Sequence, residues 1–355
     1  MQTFPEKIAI IPLTTAAREL ADKIRHGLGK SGWNLNGVEI ISAKPGIRAV
    51  MGQAWNGFDG LVCIMATGIA VRSISPLLQD KWKDPAVVVV SQDGKFAIPI
   101  LSGHLGGANE LARRIAGITG GQAVITTASD VAGKTAIDIW LKGLGLKIHH
   151  QRGILTRLMM RLVERGSLRI FSSLPLPPLP PDIQQCNRVE QADMIITHEN
   201  RYDTVNSEDT LILHPPVIAI GIGCNRGTEE KQIEDAIVQG LLDAGISIGS
   251  LFRAGSIDLK SDEPGLIATC RRHNIELQFF SADELNQAAG REPRIKRSDA
   301  VFRATGAVAV CEPAAILAAN SGKLIMEKRI WRDVTVAAAL DASPWWGQGR
   351  ETWSC

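Results

Sequence analysis

Short hydrophobic runs alternate with stretches of helical periodicity along the first 135 residues. The first run, residues 7–13 (KIAIIPL), precedes residues 15–28, where apolar positions recur every three or four residues. Further runs with the length and β-branched content of strands lie at residues 38–42, 60–65, 86–90, 96–101 and 123–126. Strands that alternate with helices predict a mostly parallel sheet covered by helices on both faces.

One pair of these runs has a different connection. Asp93-Gly94 lies between the runs at 86–90 and 96–101. This dipeptide favours a tight turn between antiparallel strands. We therefore expect one β-hairpin within an otherwise parallel first sheet.

The middle of the chain is less regular. Helical periodicity over residues 152–169 is followed by a proline-rich segment, 173–182, which interrupts regular structure. Two short strand candidates follow at residues 192–197 and 210–214. The pattern predicts a small α+β module between two larger domains.

The strand, turn and helix order returns at residue 217. Residues 217–228 (VIAIGIGCNRGT) predict a buried strand and a glycine-rich turn, followed by a helix from Glu229 to about Ala244. Further strands are predicted at 251–255, 275–280, 324–328 and 334–340, with a helix near 262–273. The predicted fold class is thus α/β, with two open, mostly parallel sheet domains joined by the middle module. The expected domains are residues 1–135, 136–215 and 216–340, followed by a tail, 341–355.

Composition and charge exclude several classes of protein. Of the 355 residues, 45% are hydrophobic and 21% are charged, which argues against disorder. A net charge of +2 lacks the basic excess of a dedicated nucleic-acid-binding protein. No segment has the roughly 18 apolar residues of a membrane span. The amino terminus lacks the features of a signal peptide, so we expect a cytoplasmic protein with no membrane partner.

Cysteine and histidine spacing gives no metal or disulfide signature. The six cysteines are scattered and include no CxxC pair, so we expect reduced, mostly buried thiols. The histidines lack HExxH or a similar ligand spacing, and we expect no metal bound by protein side chains.

The densest chemical signal is LSGHLGGANELARRIA, residues 101–116. A strand ends at Leu101, and a helix begins near Gly106 or Gly107, where unpaired N–H groups and glycines suit an anion or oxyanion. His104 in this turn is suited to proton transfer near neutral pH, although an imidazole that caps or packs the turn fits the spacing as well. Ser102 lies outside any GxSxG pattern, which favours a structural hydroxyl over a nucleophile.

Two other strand ends have the same form. Thr67-Gly68 precedes a helix expected to carry Arg72 in its first turn, and TTASD ends in Asp130. In an open parallel sheet the carboxyl ends of the strands share one edge, so we expect these residues and His104 to converge on one ligand. None of the loops has a GxGxxG fingerprint followed by an acid, so a dinucleotide is not indicated.

A set of arginines recurs every four or five residues along one stretch: Arg152, Arg157, Arg161, Arg165 and Arg169. The row predicts either a solvated helix face or a guanidinium surface that holds a polycarboxylate. The Gly-x-Gly of GIGCNRGT fits two interpretations equally well: a turn that binds a ligand and an ordinary tight turn.

Several long blocks, in this order, resemble the CbiG family of cobalt-precorrin-5A hydrolases of anaerobic cobalamin biosynthesis. The blocks are ATGIAVRSISPLLQDKWKDPAVVVV, FAIPILSGHLGGANELARRIA, VITTASD, GIGCNRGT, SIDLKSDEPGL and CEPAA, with a late Lys328 near a TVA segment. The resemblance covers about residues 7 to 340, and the part after about residue 216 also resembles CobE. It implies opening of a δ-lactone on a ring-contracted, cobalt-bearing tetrapyrrole by water, with loss of a two-carbon fragment as acetaldehyde to give cobalt-precorrin-5B. It implies no organic cofactor, because the cobalt is part of the substrate.

On this hypothesis His104 is the general base, Asp130 orients it or acts as a second acid/base, and the N–H groups of Gly106 and Gly107 stabilise the oxyanion. Arg72 and Lys81 would hold carboxylates, and the C-terminal residues would bind the corrinoid or close over it. The catalytic candidates are His104, Asp130 and Ser102. The candidate oxyanion and substrate-binding residues are Thr67, Gly68, Arg72, Lys81, Gly103, Gly106, Gly107, Asn109, Thr126, Thr127, Gly221, Gly223, Cys224, Ser256, Lys260, Glu263 and Glu312.

Two other functions remain open from sequence. A corrinoid-binding handover protein would bind cobalt-precorrins without releasing acetaldehyde, and a methyltransferase would bind S-adenosylmethionine at its glycine-rich turns. The expected partner is the cobalt-precorrin small molecule, with neighbouring pathway enzymes as further candidates. The sequence sets no oligomeric state.

Overall fold

A computed structural model of the chain describes residues 5–30, 37–80, 83–104, 106–146, 148, 152–202 and 209–346. The chain forms two compact units, residues 1–140 and 141–355. The first unit contains one sheet and the second contains two, and the predicted α/β fold class is confirmed.

The first unit is built on a six-stranded sheet with the strand order β2-β1-β3-β4-β5-β6. Its strands are β1 (Ile8–Pro12), β2 (Val38–Ile40), β3 (Gly60–Ile64), β4 (Ala86–Val90), β5 (Phe96–Leu101) and β6 (Gln122–Ala123). Its helices are α1 (Ala17–Lys30), α2 (Ile47–Gly57), α3 (Thr67–Ile74), α4 (Ala108–Thr119), α5 (Ala128–Val131) and α6 (Ile137–Gly143), the last crossing into the second unit.

Strands β1, β3 and β4 are buried at every position because both faces of the sheet are covered. Ile8 and Ile10 pack with α1 and α4 on one face. Ala9 and Ile11 point to the other face, where they pack with α2 and α3. This two-sided burial explains why the strands appear in the sequence as unbroken apolar runs.

The predicted hairpin of the first sheet is confirmed. Strands β4 and β5 pair antiparallel, and Gly94 in the connecting turn has a φ of +72°. The next strand, β6, is parallel to β5. Both β5 and β6 therefore run opposite to β1, β3 and β4, which are mutually parallel.

The middle module has a four-stranded sheet with the order β10-β9-β7-β8, beside helix α7 (Arg152–Arg165). Its strands are β7 (Leu168–Ser172), β8 (Ile183–Gln185), β9 (Met194–Ile196) and β10 (Leu211–Leu213). All of its strand pairs are parallel, so the pairing is that of an α/β module. The proline-rich segment 173–182 contains neither helix nor strand, as predicted.

Two of these strands differ from the prediction. The helix predicted over 152–169 ends at Arg165, because Gly166 follows with a φ of +81° that stops the helix. Leu168 and Arg169 consequently belong to β7, and β8 directly follows the proline-rich segment, where no strand was expected.

The C-terminal sheet has five strands in the order β13-β12-β11-β15-β14. They are β11 (Ile218–Cys224), β12 (Leu251–Ile257), β13 (Glu276–Phe280), β14 (Lys323–Trp331) and β15 (Val334–Leu340). The helices are α8 (Glu230–Asp243), α9 (Pro264–Arg272), α10 (Ala282–Arg291), α11 (Asp299–Thr305) and α12 (Cys311–Ala318). Strands β11 to β13 pair in parallel, as predicted, but β14 and β15 form a second antiparallel hairpin on β11 that the sequence reasoning did not identify.

Within the described residues, no helix is long and apolar enough to cross a membrane. The five described cysteines are free thiols. Burial raises the pKa of Cys63, Cys270 and Cys311 to about 12, so these thiols stay protonated near neutral pH, as the sequence reasoning expected of structural cysteines.

Candidate functional site

Because of the hairpin in the first sheet, the predicted site residues lie at opposite ends of the strands. Leu101, the last residue of β5, pairs with Val87 near the start of β4, so the turn that follows β5 lies where β3 and β4 begin. Thr67 and Gly68 follow the other end of β3. A strand of five residues spans about 17 Å. The expectation that all these residues converge on one ligand is therefore wrong.

Thr67, Gly68 and Arg72 form no part of the His104 cluster. Thr67 and Gly68 are exposed, and a Cβ at Gly68 would meet no atom within 4 Å. Arg72 is exposed and is the sixth residue of α3, which has only eight residues. It therefore lies in the last turn of the helix and not, as predicted, in the first turn. Thr126 is exposed in the segment that connects β6 to α5. Lys81 lies outside the described residues.

The turn after β5 is tightly packed. Ser102 has a φ of +54°, and its hydroxyl donates to the carbonyl of Asp84 at 2.9 Å. A Cβ at Gly106 would lie 2.5 Å from the Cβ of Ser102, and one at Gly103 would lie 2.7 Å from Oδ1 of Asn109. The glycines thus allow close packing of the turn, and the Ser102 hydroxyl holds the turn to the segment before β4.

The first N–H groups of α4 are occupied by carbonyls of the same turn. The N–H of Gly107 donates to His104 at 2.9 Å, and the N–H of Ala108 donates to Ser102 at 3.2 Å. The N–H of Asn109 donates to Gly103 at 3.0 Å. This corrects the oxyanion role expected of Gly107, whose N–H is already used in the conformation described; the role of the Gly106 N–H stays a prediction.

His104 is placed between carboxylates. Its Nε2 lies 2.8 Å from Oδ2 of Asp130 and 3.1 Å from the hydroxyl of Ser129. On the other side of the ring, Nδ1 lies 3.8 Å from Oδ1 of Asp138. The imidazole is only 10% exposed. The pairing of His104 with Asp130, inferred from two strand ends, is thus present in the structure.

Asp130 is fixed by two further side chains. Arg113 forms a short ion pair with its Oδ1, and the amide of Asn109 donates to its Oδ2 at 2.9 Å and to the hydroxyl of Thr127 at 3.0 Å. Partial burial raises the pKa of Asp130, but hydrogen bonds from Arg113 and His104 outweigh it and lower the pKa overall. Asp130 therefore stays ionised, and its contribution to stability is lost only as the pH falls through that lowered value.

Sequence reasoning missed Arg113, Ser129 and Asp138. The signal for Arg113 was helical spacing, since it lies four residues after Asn109 on α4 and shares its face. Ser129 directly precedes Asp130 on the short helix α5. Asp138 is in the first turn of α6, and nothing local to the sequence connects it with His104.

The arginine row is neutralised within its own module. Arg161 pairs with Asp193 at 2.8 Å and with Asp209 at 3.3 Å, and Arg157 lies 3.7 Å from Asp209. Arg169 lies on β7, away from the helix. The Arg152 side chain is outside the described part of the chain. These ion pairs hold α7 to the middle sheet, which does not favour a polycarboxylate surface here.

The second candidate cluster surrounds a cavity of about 700 Å³ in the C-terminal domain. Three predicted residues, Gly223, Cys224 and Lys260, line it. Partial burial raises the pKa of the Cys224 thiol, although nearby Lys260 opposes this shift. Four cationic side chains line the same cavity: Arg226, Lys260, Lys328 and Arg332. Apart from Lys260 these cations were not among the predicted site residues.

The other predicted residues of this region support the walls of the cavity. A Cβ at Gly221 would lie 1.8 Å from the carbonyl oxygen of Cys311, and the buried Ser256 hydroxyl donates to the Ile222 carbonyl at 2.7 Å. Glu263 is 1% exposed, accepts the N–H of Gly227 at 2.8 Å and lies 3.5 Å from the ammonium of Lys260. Glu312 is buried, with Oε2 3.6 Å from the Cys311 sulfur.

Comparison with known proteins assigns both clusters to family domains. Residues 49–130 match the model described as cobalamin synthesis G N-terminal, which contains His104 and Asp130. Residues 218–339 match the model described as cobalamin synthesis G C-terminus, which contains the cavity.

Individual relatives extend the match along the chain. The cobalt-precorrin-5A hydrolase of Priestia megaterium is 33% identical over 310 residues, 83% of this chain and 82% of that protein. The enzyme of the same name from Salmonella typhimurium is 30% identical over 354 residues, 95% of this chain and 98% of that protein. Protein CobE of Sinorhizobium sp is 30% identical over 127 residues, 36% of this chain and 81% of that protein.

Proposed function

The chain belongs to the cobalt-precorrin-5A hydrolase family of cobalamin biosynthesis, and we propose that it opens the δ-lactone of cobalt-precorrin-5A with water and releases acetaldehyde, giving cobalt-precorrin-5B. Two relatives with that name match it over most of their length. The single structural observation that supports the chemistry is the 2.8 Å contact between Nε2 of His104 and Oδ2 of Asp130.

In the proposed first step, His104 is the general base. Asp130 holds Nε2 and stabilises positive charge on the ring, so Nδ1 is the nitrogen that takes a proton from water. The water oxygen bonds to the lactone carbonyl carbon, the ring carbon–oxygen bond breaks, and the proton returns to the departing alkoxide. Asp138, 3.8 Å from Nδ1, is positioned to exchange that proton.

In the proposed second step, the freed hydroxyl group loses its proton to the same histidine. Its oxygen forms the aldehyde carbonyl as the carbon–carbon bond to the macrocycle breaks, and the electron pair of that bond moves into the conjugated ring. The two-carbon fragment leaves as acetaldehyde. The proposal uses no organic cofactor and no metal bound by the protein, because cobalt enters with the substrate.

The experiment measures acetaldehyde released from anaerobically prepared cobalt-precorrin-5A. His104→Gln should lower the rate by about two to four orders of magnitude, because it removes the proton acceptor. His26→Gln, at an exposed position on α1, is the matched control and should retain the rate of the unaltered protein. Near-normal release by the His104 variant would contradict its role as base. Binding of substrate without acetaldehyde release by the unaltered protein would contradict the reaction itself and favour a handover function.

A further inference from the structure

The cavity in the C-terminal domain has the size of a small-molecule site. It is bounded by the turn after β11, by α11 and by the tip of the β14–β15 hairpin, and its volume is about 700 Å³. Ligand pockets usually enclose about 300 to 1,000 Å³. Its location, at the carboxyl end of a strand in an open sheet, is also where ligands bind in α/β folds.

Cations outnumber acids among the described residues that line the cavity, and one of these cations has no ion pair. Arg226, Lys260, Lys328 and Arg332 line the cavity, and Asp333 is the one acidic residue among the described residues of its lining. Lys328 is half-buried and forms no ion pair with any described residue, and its field acts on the Cys311 thiol in the cavity wall. A partly buried ammonium without a partner favours an anionic ligand group.

Lys260 is the second ammonium held within the cavity. It is 14% exposed and lies 3.5 Å from the buried Glu263, which fixes its position without closing the site. Arg226 and Arg332 are exposed at the mouth, where Arg226 is paired with Asp262 and Arg332 lies 3.8 Å from Asp333. The site thus has two inner lysines and two outer arginines.

The remaining lining is largely apolar. Ile257, Val301 and Val310 line the interior, and Leu259 and Ile330 line the cavity while remaining 49% and 70% exposed. Exposed apolar patches that are rimmed by polar residues mark binding surfaces when the patch is contiguous. A small inorganic anion would contact the cations and leave this apolar area unused.

We propose that this cavity binds a tetrapyrrole with carboxylate arms, the lysines holding the carboxylates and the apolar wall contacting one edge of the macrocycle. The identity of the ligand class rests on the function proposed above. The cavity supplies affinity, whereas His104 supplies proton transfer, so the two groups of residues have separable effects.

The first experiment compares two stable cobalt corrinoids on the full-length protein. Dicyanocobyrinic acid has carboxylate arms, and dicyanocobinamide has neutral amide arms on the same ring. Lys328→Met and Lys260→Met should each weaken binding of the acid about tenfold and leave binding of the amide unchanged, because each removes one charge-assisted contact. Lys323→Met, on the same strand as Lys328 but outside the cavity, is the matched control and should bind as the unaltered protein does.

The second experiment uses Cys224 as a reporter of occupancy. Dicyanocobyrinic acid should slow its modification by N-ethylmaleimide at least tenfold, measured by peptide mass spectrometry. Cys186, which is partly exposed on the middle module and does not line the cavity, should react at an unchanged rate. Unchanged labelling of Cys224 under saturating corrinoid would overturn the proposal. Equal protection by citrate or inorganic phosphate would also overturn it, since that result identifies a simple anion site.

The two proposals fail in different ways. If the cavity proposal is wrong, Lys328→Met retains its KM for cobalt-precorrin-5A and its affinity for dicyanocobyrinic acid, while acetaldehyde release is unaffected. If instead the hydrolysis proposal is wrong, corrinoid binding and Cys224 protection persist without acetaldehyde. His104→Gln should retain both binding and protection, and loss of either in that variant would contradict the assignment of affinity to the cavity.

Discussion

The glycine-rich turns after β5 and β11 both connect a strand to a helix, but their environments are opposite. The turn after β5 encloses a compact group of His104, Asp130 and Arg113 in which each charge has a partner. The turn after β11 borders a cavity of about 700 Å³ in which lysines and arginines outnumber acids. In our proposals, the first arrangement holds an imidazole for proton transfer, and the second binds an anionic ligand.

The difference shows that a strand, a glycine turn and a helix do not by themselves define an anion site. In the first turn, Gly107 and the following N–H groups already donate to carbonyls of the turn. In the second, Gly221 allows α12 to pack on β11, and two of the four cations that line the cavity, Lys328 and Arg332, come from the β14–β15 hairpin, more than 100 residues after Gly221. The chemistry of each turn is determined by residues distant in sequence.

The largest expected effect tests the proton-transfer side of this comparison. Asp130→Asn should lower kcat by about three orders of magnitude, because the amide no longer stabilises charge on His104. Corrinoid affinity should be unchanged. The acid limb of the pH–rate profile should move to lower pH, a shift that a purely structural defect would not produce. Asp22→Asn, at an exposed position on α1, is the control. An unchanged pH–rate profile for the Asp130 variant would contradict a role of this carboxylate in proton transfer.

The next effect tests whether Gly221 is structural. Gly221→Ala should lower the free energy of unfolding by about 3 kcal/mol, because the new Cβ would lie 1.8 Å from a main-chain carbonyl oxygen. Gly68→Ala, with no atom within 4 Å of the added carbon, should be neutral or stabilising by up to about 1 kcal/mol. Urea denaturation with hydrogen exchange of residues 218–224 measures the loss. Equal stability of the two variants would rule out the packing role.

The smallest effect concerns the arginine row. Arg161→Gln should destabilise the protein by about 2 kcal/mol, because it leaves the nearly buried Asp193 without its closest ion pair. Arg165→Gln, which is 62% exposed and 3.9 Å from Asp193, should change stability by less than about 0.5 kcal/mol. Neither variant should change corrinoid affinity. A loss of affinity in Arg161→Gln would instead support the interpretation that the arginine row binds the carboxylates of the substrate.

The fold could be predicted largely because both main sheets are covered on two faces. Strands β1, β3, β4 and β11 are short apolar runs whose length and β-branched residues indicate buried strands, and Asp93-Gly94 identified the hairpin. The boundary of α7 was missed although Gly166, a common helix-terminating residue, was visible in the sequence. The capping box of Ser281 and Glu284 at α10 was also visible and unused.

The site could be predicted only in part, for a geometric reason. His104 and Asp130 were correctly associated, since β5 and β6 run in the same direction. Thr67 was wrongly associated with them, because the hairpin that the sequence revealed also reverses the strand direction at β5. Ion pairs such as Arg161 with Asp193 depend on tertiary pairing over 32 residues, which local patterns do not contain.

The contact between Gly221 and α12 limits how the cavity can adapt to ligands of different size. Because main-chain atoms of β11 and α12 touch there, the wall that contains Val310 and Cys311 cannot recede without breaking the central strand. The opposite wall ends in the two-residue tip at Arg332 and Asp333, which is held by hydrogen bonds from Asn225 to Asp333 rather than by close main-chain packing against a helix. Family members that accept ligands of different bulk should therefore differ in the residues of the hairpin tip. The residue at position 221 should remain glycine.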